Sequence, residues 1–405
     1  MIGSGFQSPA TSHQLLSARA DDSWQLATGS WKLGYYPSVL RTDETHMRRA
    51  LALAALGRGT TPPNPLVGAV VARGARVLGQ GYHRRPGEPH AEALALGQVG
   101  SVQGATLYTN LEPCCHTGRT PPCVDEIVHS GIGRVVVAMR DPNPRVNGGG
   151  FRALRKHGIV VEIGLLRNEA LHLNAGFTKR AKTGLPWVTL KGAPSLDGRI
   201  ATKTGDSKWI TSLTARRHAR VLRTENDAIM VGIETVLADD PRLNRRVRLP
   251  GAAPLVRVVL DGSLRLPSGS RLVKSLREGP VVVFCRPNAP RSKRRRLSAA
   301  GVDIETVTTV GRKGRLDLEA VLRKLAERSL ANVLVEGGGE LHASFLEQGL
   351  ADRLVLYIAP RLIGGTTARP LVGGRGVSAV SEAPVLTKAR CTRVGHEWML
   401  EGELG

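Results

Sequence analysis

The strongest constraint on this chain is an alternation of short β-branched and aliphatic runs with stretches of helical spacing. Strand–helix alternation of this kind builds sheets covered by helices, an α/β architecture. The first series opens at Asp43, placed as the N-cap of a helix over ETHMRRALALAALGRG, whose apolar residues recur with a helical period. VGAVVA (67–72) and RVLGQGY (76–82) form a hairpin across Arg73-Gly74-Ala75, and a helix covers about His90 to Leu96. ATLYTN, CVDEIVHSG, RVVVAM, FRALRKHG and IVVEIG then read strand, helix, strand, helix, strand. After the helix NEALHLNAGFTKRAK, the stop signal Thr183-Gly184-Leu185-Pro186 marks a domain seam. Beyond it PWVTLKGA, DAIMVG, VRVVLD, PVVVFC, VDIETV, ANVLVEGG and DRLVLYIAP read as strands, with helices over TSLTARRHARVLRTE and DLEAVLRKLAER. The expected divisions are a loosely ordered extension at 1–42, a three-layer α/β domain at 43–184 and a second α/β domain at 185–405. A length of 405 residues suits two or three domains better than one core.

Composition narrows the function classes. At 41% hydrophobic and 22% charged the chain is globular, and 47 Gly with 24 Pro supply its many turns. No apolar run of about 18 residues occurs, which argues against a membrane-spanning helix. The opening MIGSGFQSPATSHQLLSARADD lacks a basic stretch ahead of an apolar core, so no secretory signal is expected. Five cysteines, an odd number, favour a reducing cytoplasm with metal-binding or catalytic thiols. The 57 basic against 34 acidic residues give a net charge of +23, which is open to three readings: a polyanionic partner such as nucleic acid, phosphorylated small substrates, or a genome bias toward arginine, which is scattered along the chain. The one dense run, Arg291-Ser292-Lys293-Arg294-Arg295-Arg296, is expected to be a solvated helix face or loop.

Three of the five cysteines fall in LEPCCHTGRTPPC (111–123), while GEPHAEALALG (87–97) offers a histidine and a carboxylate two residues apart. His90, Cys114 and Cys123 make a three-ligand zinc set with an open fourth position, the catalytic arrangement. An ion held that way lowers the pKa of water in the open position from about 15.7 to about 7. Glu92, not itself a ligand, can take that proton and deliver it to a leaving amine. H-x-E followed by P-C-x-x-C signals zinc-dependent deamination of a nucleobase; here eight residues separate the two cysteines. Adjacent Cys114 and Cys115 would chelate poorly, which leaves Cys114 and Cys123 as the better pair. Cys123 opens a helix, where the dipole favours thiolate. The bland reading of a cysteine, a small buried hydrophobe, suits Cys285 and Cys391.

With NPLVGAVV (64–71), GEPHAEALA (87–95), LEPCCHTGRTPPC (111–123), AMRDPNP (138–144), SLDGRIATKTGDSKWIT (195–211), VGIETVLADDPRL (231–243) and VEGGGELHASFL (335–346) in this order, the chain resembles the bifunctional riboflavin-biosynthesis deaminase/reductase family. The resemblance runs from about Asp43 to near the C-terminus, and the long cysteine spacing is the family's own pattern. It implies a cytidine-deaminase-like three-layer α/β/α domain followed by a dihydrofolate-reductase-like α/β domain. The implied chemistry is deamination of a diaminopyrimidinone phosphoribosylamine, then reduction of its ribosyl moiety to ribityl. By resemblance His90, Cys114 and Cys123 are zinc ligands, Glu92 is the proton shuttle and Asn64 lines the pyrimidine pocket. Ser207, Arg223, Leu243, Arg246 and Glu336 match substrate positions. Ala193, Trp209, Thr235, Asp239, Gly262, Gly338 and Gly339 match cofactor positions. Zn2+ and NADPH are the implied cofactors and a phosphorylated pyrimidine the implied partner, with no nucleic acid and no membrane. A cytoplasmic homo-oligomer is expected. Two departures stand out: Cys115 replaces the family's usual serine, and Pro194 replaces a small residue before Ser195.

Independently of the resemblance, the strand ANVLVE runs into Gly337-Gly338-Gly339 and a helix, which turns free backbone N–H groups toward any phosphate docking there. Taken singly that turn is weak evidence, Trp209 reads as core and Arg223 as a solvated helix residue; their joint order carries the reading. No acid for the reductive step stands out. Two alternatives stay open: a nucleoside, nucleotide or tRNA-base deaminase fused to an unrelated reductase, and a basic nucleic-acid-binding protein with a structural zinc. An aromatic content of only 4% weakens the second.

Overall fold

The computed structural model describes residues 37–405 apart from 101, 117–120, 145, 248, 250 and 312–313. Most of the extension expected at 1–42 lies outside the described residues, and its last part belongs to the helix Pro37–Ala55. Asp43 is therefore not an N-cap. It sits inside that helix with its carboxylate buried, accepting hydrogen bonds from the Tyr108 hydroxyl and from both terminal nitrogens of Arg134. A tertiary ion pair has overridden the local capping preference.

The first sheet contains β1 (Gly68–Arg73), β2 (Arg76–Tyr82), β3 (Thr106–Leu111), β4 (Arg134–Met139) and β5 (Val160–Ile163), in the order β2-β1-β3-β4-β5. The β1–β2 hairpin turns at Gly74, whose φ of +57° suits glycine. β3, β4 and β5 run parallel, so β3 and β4 end on one edge. Their apolar faces and those of the flanking helices form one continuous core that includes Met47, Leu107, Val135 and Phe151.

The second sheet has nine strands, mostly parallel. Its members are β6 (Trp187–Gly192), β8 (Ala228–Gly232), β9 (Val256–Leu260), β10 (Val281–Cys285), β11 (Asp303–Thr306), β14 (Asn332–Val335), β15 (Arg353–Ile358), β17 (Leu386–Val394) and β18 (Glu397–Leu404). The remaining short strands pair in two ribbons, β7 (Arg199–Ala201) with β16 (Arg369–Pro370) and β12 (Thr309–Val310) with β13 (Arg315–Leu316). The nine-strand order is β11-β10-β9-β8-β14-β6-β15-β18-β17, and the antiparallel β17–β18 hairpin closes one end. Central strands such as β8 and β10 are apolar throughout because helices cover both faces, with separate cores on the two sides.

Several elements differ from the sequence expectation. The helix over NEALHLNAGFTKRAK is two helices, Arg167–Leu173 and Ala175–Thr183. At the break, the Asn174 carboxamide accepts from Leu66 N and donates to Leu66 O. The helix over TSLTARRHARVLRTE is α-helical only over Leu213–Ala219 and continues as a 3-10 turn over Val221–Thr224. The β17–β18 hairpin was not anticipated, because β17 is exposed along most of its length and carries no apolar run. The dense basic run is helical, Arg291–Ala299, with Leu297 as its one buried residue. Among the described residues no helix is long and apolar enough to cross a membrane.

Two candidate active sites

The first site forms where β3 ends and two helices begin. His90 precedes the helix Ala91–Leu96, Cys123 opens the helix Cys123–His129, and Cys114 lies in the loop after β3. The His90, Cys114 and Cys123 donor atoms lie within 4.8 Å of one another. His90 Nδ1 is 3.2 Å from Cys123 Sγ and 3.5 Å from Cys114 Sγ, and the Cys123 backbone N–H donates to Cys114 Sγ at 3.3 Å. Hydrogen bonding from Cys123 holds the Cys114 thiol far down, at about 4, with His90 adding to the effect against the opposing cost of burial. Cys114 in turn draws His90 toward its protonated form. Shared protons thus bind the three donors together, and a divalent ion would displace them. One imidazole and two sulfurs suit zinc with an open position.

Glu92 is buried on the same helix, with Oε2 3.7 Å from Cys123 Sγ. Burial, and secondarily the Cys114 charge, push its carboxyl up to about 7 while His90 pulls it down. Beside these groups opens a cavity of about 570 Å³ lined by Asn64, His83, Glu112, His116, Asp141 and Asn143 among others. The Asn64 side-chain amide donates to His83 Nε2 at 3.0 Å, and the other ring nitrogen of His83 faces Pro89 O. His83, Glu112, Asp141 and Asn143 were not found from the sequence. The Glu112 carboxylate is buried and accepts from the backbone N–H groups of Asp141, Gly148, Gly150 and Phe151. The NGGG run is explained here too: a Cβ at Gly150 would stand 2.2 Å from Pro113 O, so only glycine lets this turn reach the cysteine loop. Phe177, and Ser329 from the turn before β14, also line the cavity.

The second site lies along the carboxyl edge of the parallel strands β6, β14, β8 and β9. Arg223, on the 3-10 turn, pairs bidentately with Glu336 at the end of β14, both contacts being 2.9 Å. Burial raises the Glu336 carboxyl, but Arg223, Lys191 and Arg246 outweigh it and hold it down at about 2. Arg223 also donates to Asn244 O at 2.7 Å, which ties down the segment carrying Leu243 and Arg246. Both residues have left-handed backbones, φ +54° and +56°. Lys191, missed from sequence, lies close enough to act on Glu336 from β6.

The matched cofactor positions share one edge. Ala193 follows β6, Gly338 and Gly339 follow β14, Thr235 and Asp239 lie in the helix Ile233–Asp239 after β8, and Gly262 follows β9. A Cβ at Gly338 would meet no atom of the described residues within 4 Å. This strip of bare backbone at a helix start fits an extended dinucleotide. Trp209 is not core: it is 61% exposed, with Arg216 stacked 4.0 Å from its ring centre. Ser207 and Trp209 flank Lys208, whose ammonium reaches Asp239 at 3.5 Å.

Comparison with known proteins identifies the two domains that carry these sites. The family described as RibD C-terminal domain matches residues 186–400, more than half of the chain. The chain belongs to the RibD family. The cytidine and deoxycytidylate deaminase zinc-binding region matches residues 40–139. The riboflavin biosynthesis protein RibD of Bacillus amyloliquefaciens is 44% identical over 88% of this chain and 94% of its own length. That of Escherichia coli is 40% identical over 88% and 97%. Among solved structures, Acinetobacter baumannii RibD superposes with a TM-score of 0.80 at 36% identity, covering 90% of this chain and 99% of its own. The Thermotoga maritima deaminase/reductase gives 0.76 at 34% identity, over 90% and 99%. Like other RibD proteins, the chain joins a cytidine-deaminase-like domain to a reductase domain and is a bifunctional enzyme of riboflavin biosynthesis using zinc and NADPH. The reading as an unrelated fusion is not favoured.

Proposed function

We propose that the two sites act in sequence on one phosphorylated pyrimidine, the first removing an exocyclic amine and the second reducing the ribosyl group to ribityl. The observation that carries the first half is the convergence of His90, Cys114 and Cys123 beside the buried Glu92 at the wall of a cavity of about 570 Å³. Zinc held by those three supplies the Lewis acidity that makes water a nucleophile near neutral pH. Glu92, buried beside the donor set with Oε2 3.7 Å from Cys123 Sγ, takes the proton of the attacking water and returns one to the departing amine. Asn64, with its amide nitrogen engaged by His83, keeps its oxygen as acceptor for the pyrimidine edge.

In the second site Arg223 and Arg246 hold phosphate or ribityl oxygens, with Ser207, Leu243 and Glu336 shaping the sugar's position. NADPH supplies the hydride; Ala193, Trp209, Thr235, Asp239, Gly262, Gly338 and Gly339 orient it along the sheet edge. The division of labour falls near residue 185. The charge of +23 serves phosphorylated small molecules rather than nucleic acid or membrane, in a cytoplasmic homo-oligomer.

The test is Glu92→Gln assayed for each half-reaction. Deamination should fall about 10²- to 10⁴-fold with bound zinc retained. Reduction of separately supplied deaminated compound should persist. Undiminished deamination would remove Glu92 from the chemistry.

A further inference from the structure

Along the carboxyl edge of the nine-stranded sheet, one group of cations has no part in the chemistry above. Arg286 follows β10, and its side chain lies across Gly262 in the turn after β9. A Cβ at Gly262 would stand 3.0 Å from Arg286 Nε and 3.4 Å from its Cγ, so the bare glycine lets the stem lie close against the turn. Arg286 Nε is buried and finds no acceptor among the described residues. Lys293 Nζ reaches Ser263 O in the same turn at 3.4 Å, while Arg294 donates to the carbonyls of Arg286 and Pro287 at 3.3 and 3.0 Å. Both come from the dense basic helix Arg291–Ala299, which the proposed chemistry leaves unused. These contacts go to neutral carbonyls, which position a cation without cancelling its charge. The nearby anion is Asp261, wholly buried, with one oxygen taken by Leu266 N.

Topology says what such a cluster would meet. β14, β8, β9 and β10 are successive parallel neighbours. Three strand spacings, about 14–15 Å, therefore separate the edge at Gly338 from the edge at Arg286. The proposed function has Glu336, at the end of β14, position the sugar that receives the hydride, so the reacting end of NADPH lies near β14. A dinucleotide stretched along the edge then brings its adenosine end to β9 and β10. We propose that Arg286, backed by Lys293 and Arg294, binds the ribose phosphate that distinguishes NADPH from NADH. An always-charged planar donor suits a phosphate dianion. The proposal rests on the reading that the cofactor lies along this edge.

The test is direct binding of NADPH and NADH to the full-length protein by calorimetry, comparing wild type with Arg286→Gln, which keeps the stem and loses the charge. The Kd for NADPH should rise about 10- to 100-fold and that for NADH should stay within about twofold. Adenosine 2′,5′-bisphosphate should lose affinity where adenosine 5′-monophosphate does not, and Arg286→Lys should recover part of the loss. Equal weakening of both dinucleotides, or no change, overturns the proposal. Gly338→Val tests the underlying reading separately: its backbone is extended (φ −77°, ψ 171°) and the added Cβ meets no atom of the described residues, so the fold accepts it. It should weaken NADPH and NADH alike. No effect of Gly338→Val on either dinucleotide would remove the cofactor from this edge, and the phosphate assignment with it. Weakening by Gly338→Val with none by Arg286→Gln would keep the edge and discard the phosphate assignment alone.

Discussion

Glu336 and Arg223, the pair proposed above to contact substrate, also form a buried ion pair. Only 14% of the arginine side chain and 16% of the glutamate are exposed, so each charge depends on the other for compensation. Glu336→Gln leaves Arg223 buried beside a neutral amide and should cost about 3 kcal/mol in urea unfolding, the low end for a broken buried pair because the amide oxygen still accepts. The pH dependence has a definite sign. The Glu336 carboxyl is held below its ordinary 4.5, at about 2, so its stabilisation is complete above 4.5 and disappears as pH falls toward 2. The gap between wild type and Glu336→Gln should close across that window, while a gap that widens there would contradict the assigned pairing.

At the scale of elements, the deaminase cavity is built by a loop that one carboxylate holds in place. Glu112 collects four backbone donors from residues 141–151, the segment that brings Asp141 and Asn143 to the cavity wall. Glu112→Ala should strip the amides of Gly148, Gly150 and Phe151 of hydrogen-exchange protection and cost about 2–4 kcal/mol. It should also raise the deaminase KM without altering reductase KM; unchanged exchange at those amides would contradict the anchoring role. This arrangement also explains what the sequence could and could not disclose. The H-x-E and PC…PPC spacings are local, and the apolar strands VVVAM and VVVFC announce themselves by composition. Glu112 bonds with backbone groups more than 25 residues away, which no spacing rule predicts. Asp43 looked like a cap because its true partners, Tyr108 and Arg134, are equally remote. β17 escaped notice because an exposed strand needs no apolar pattern.

Across the whole molecule the two halves meet through polar contacts. Arg58 pairs with Glu225 at 2.8 Å, Lys179 with Asp352 at 2.6 Å, and Ala253 N donates to Gly59 O at 3.0 Å. Gly59 belongs to the turn that leads to Asn64, while Ala253 follows the segment carrying Arg246, so the joint ties together segments that lead to the two sites. The sites themselves draw on different chemistry: sulfur and imidazole donors in one, an arginine–glutamate pair and bare strand ends in the other. The most direct measurement strips the metal from full-length protein with a chelator and follows both half-reactions on separately supplied substrates. Deamination should vanish and return with added zinc, while NADPH-dependent reduction continues at its original rate. Deamination that survives in metal-free protein, or reduction that disappears with the zinc while the chain stays folded, would contradict the account.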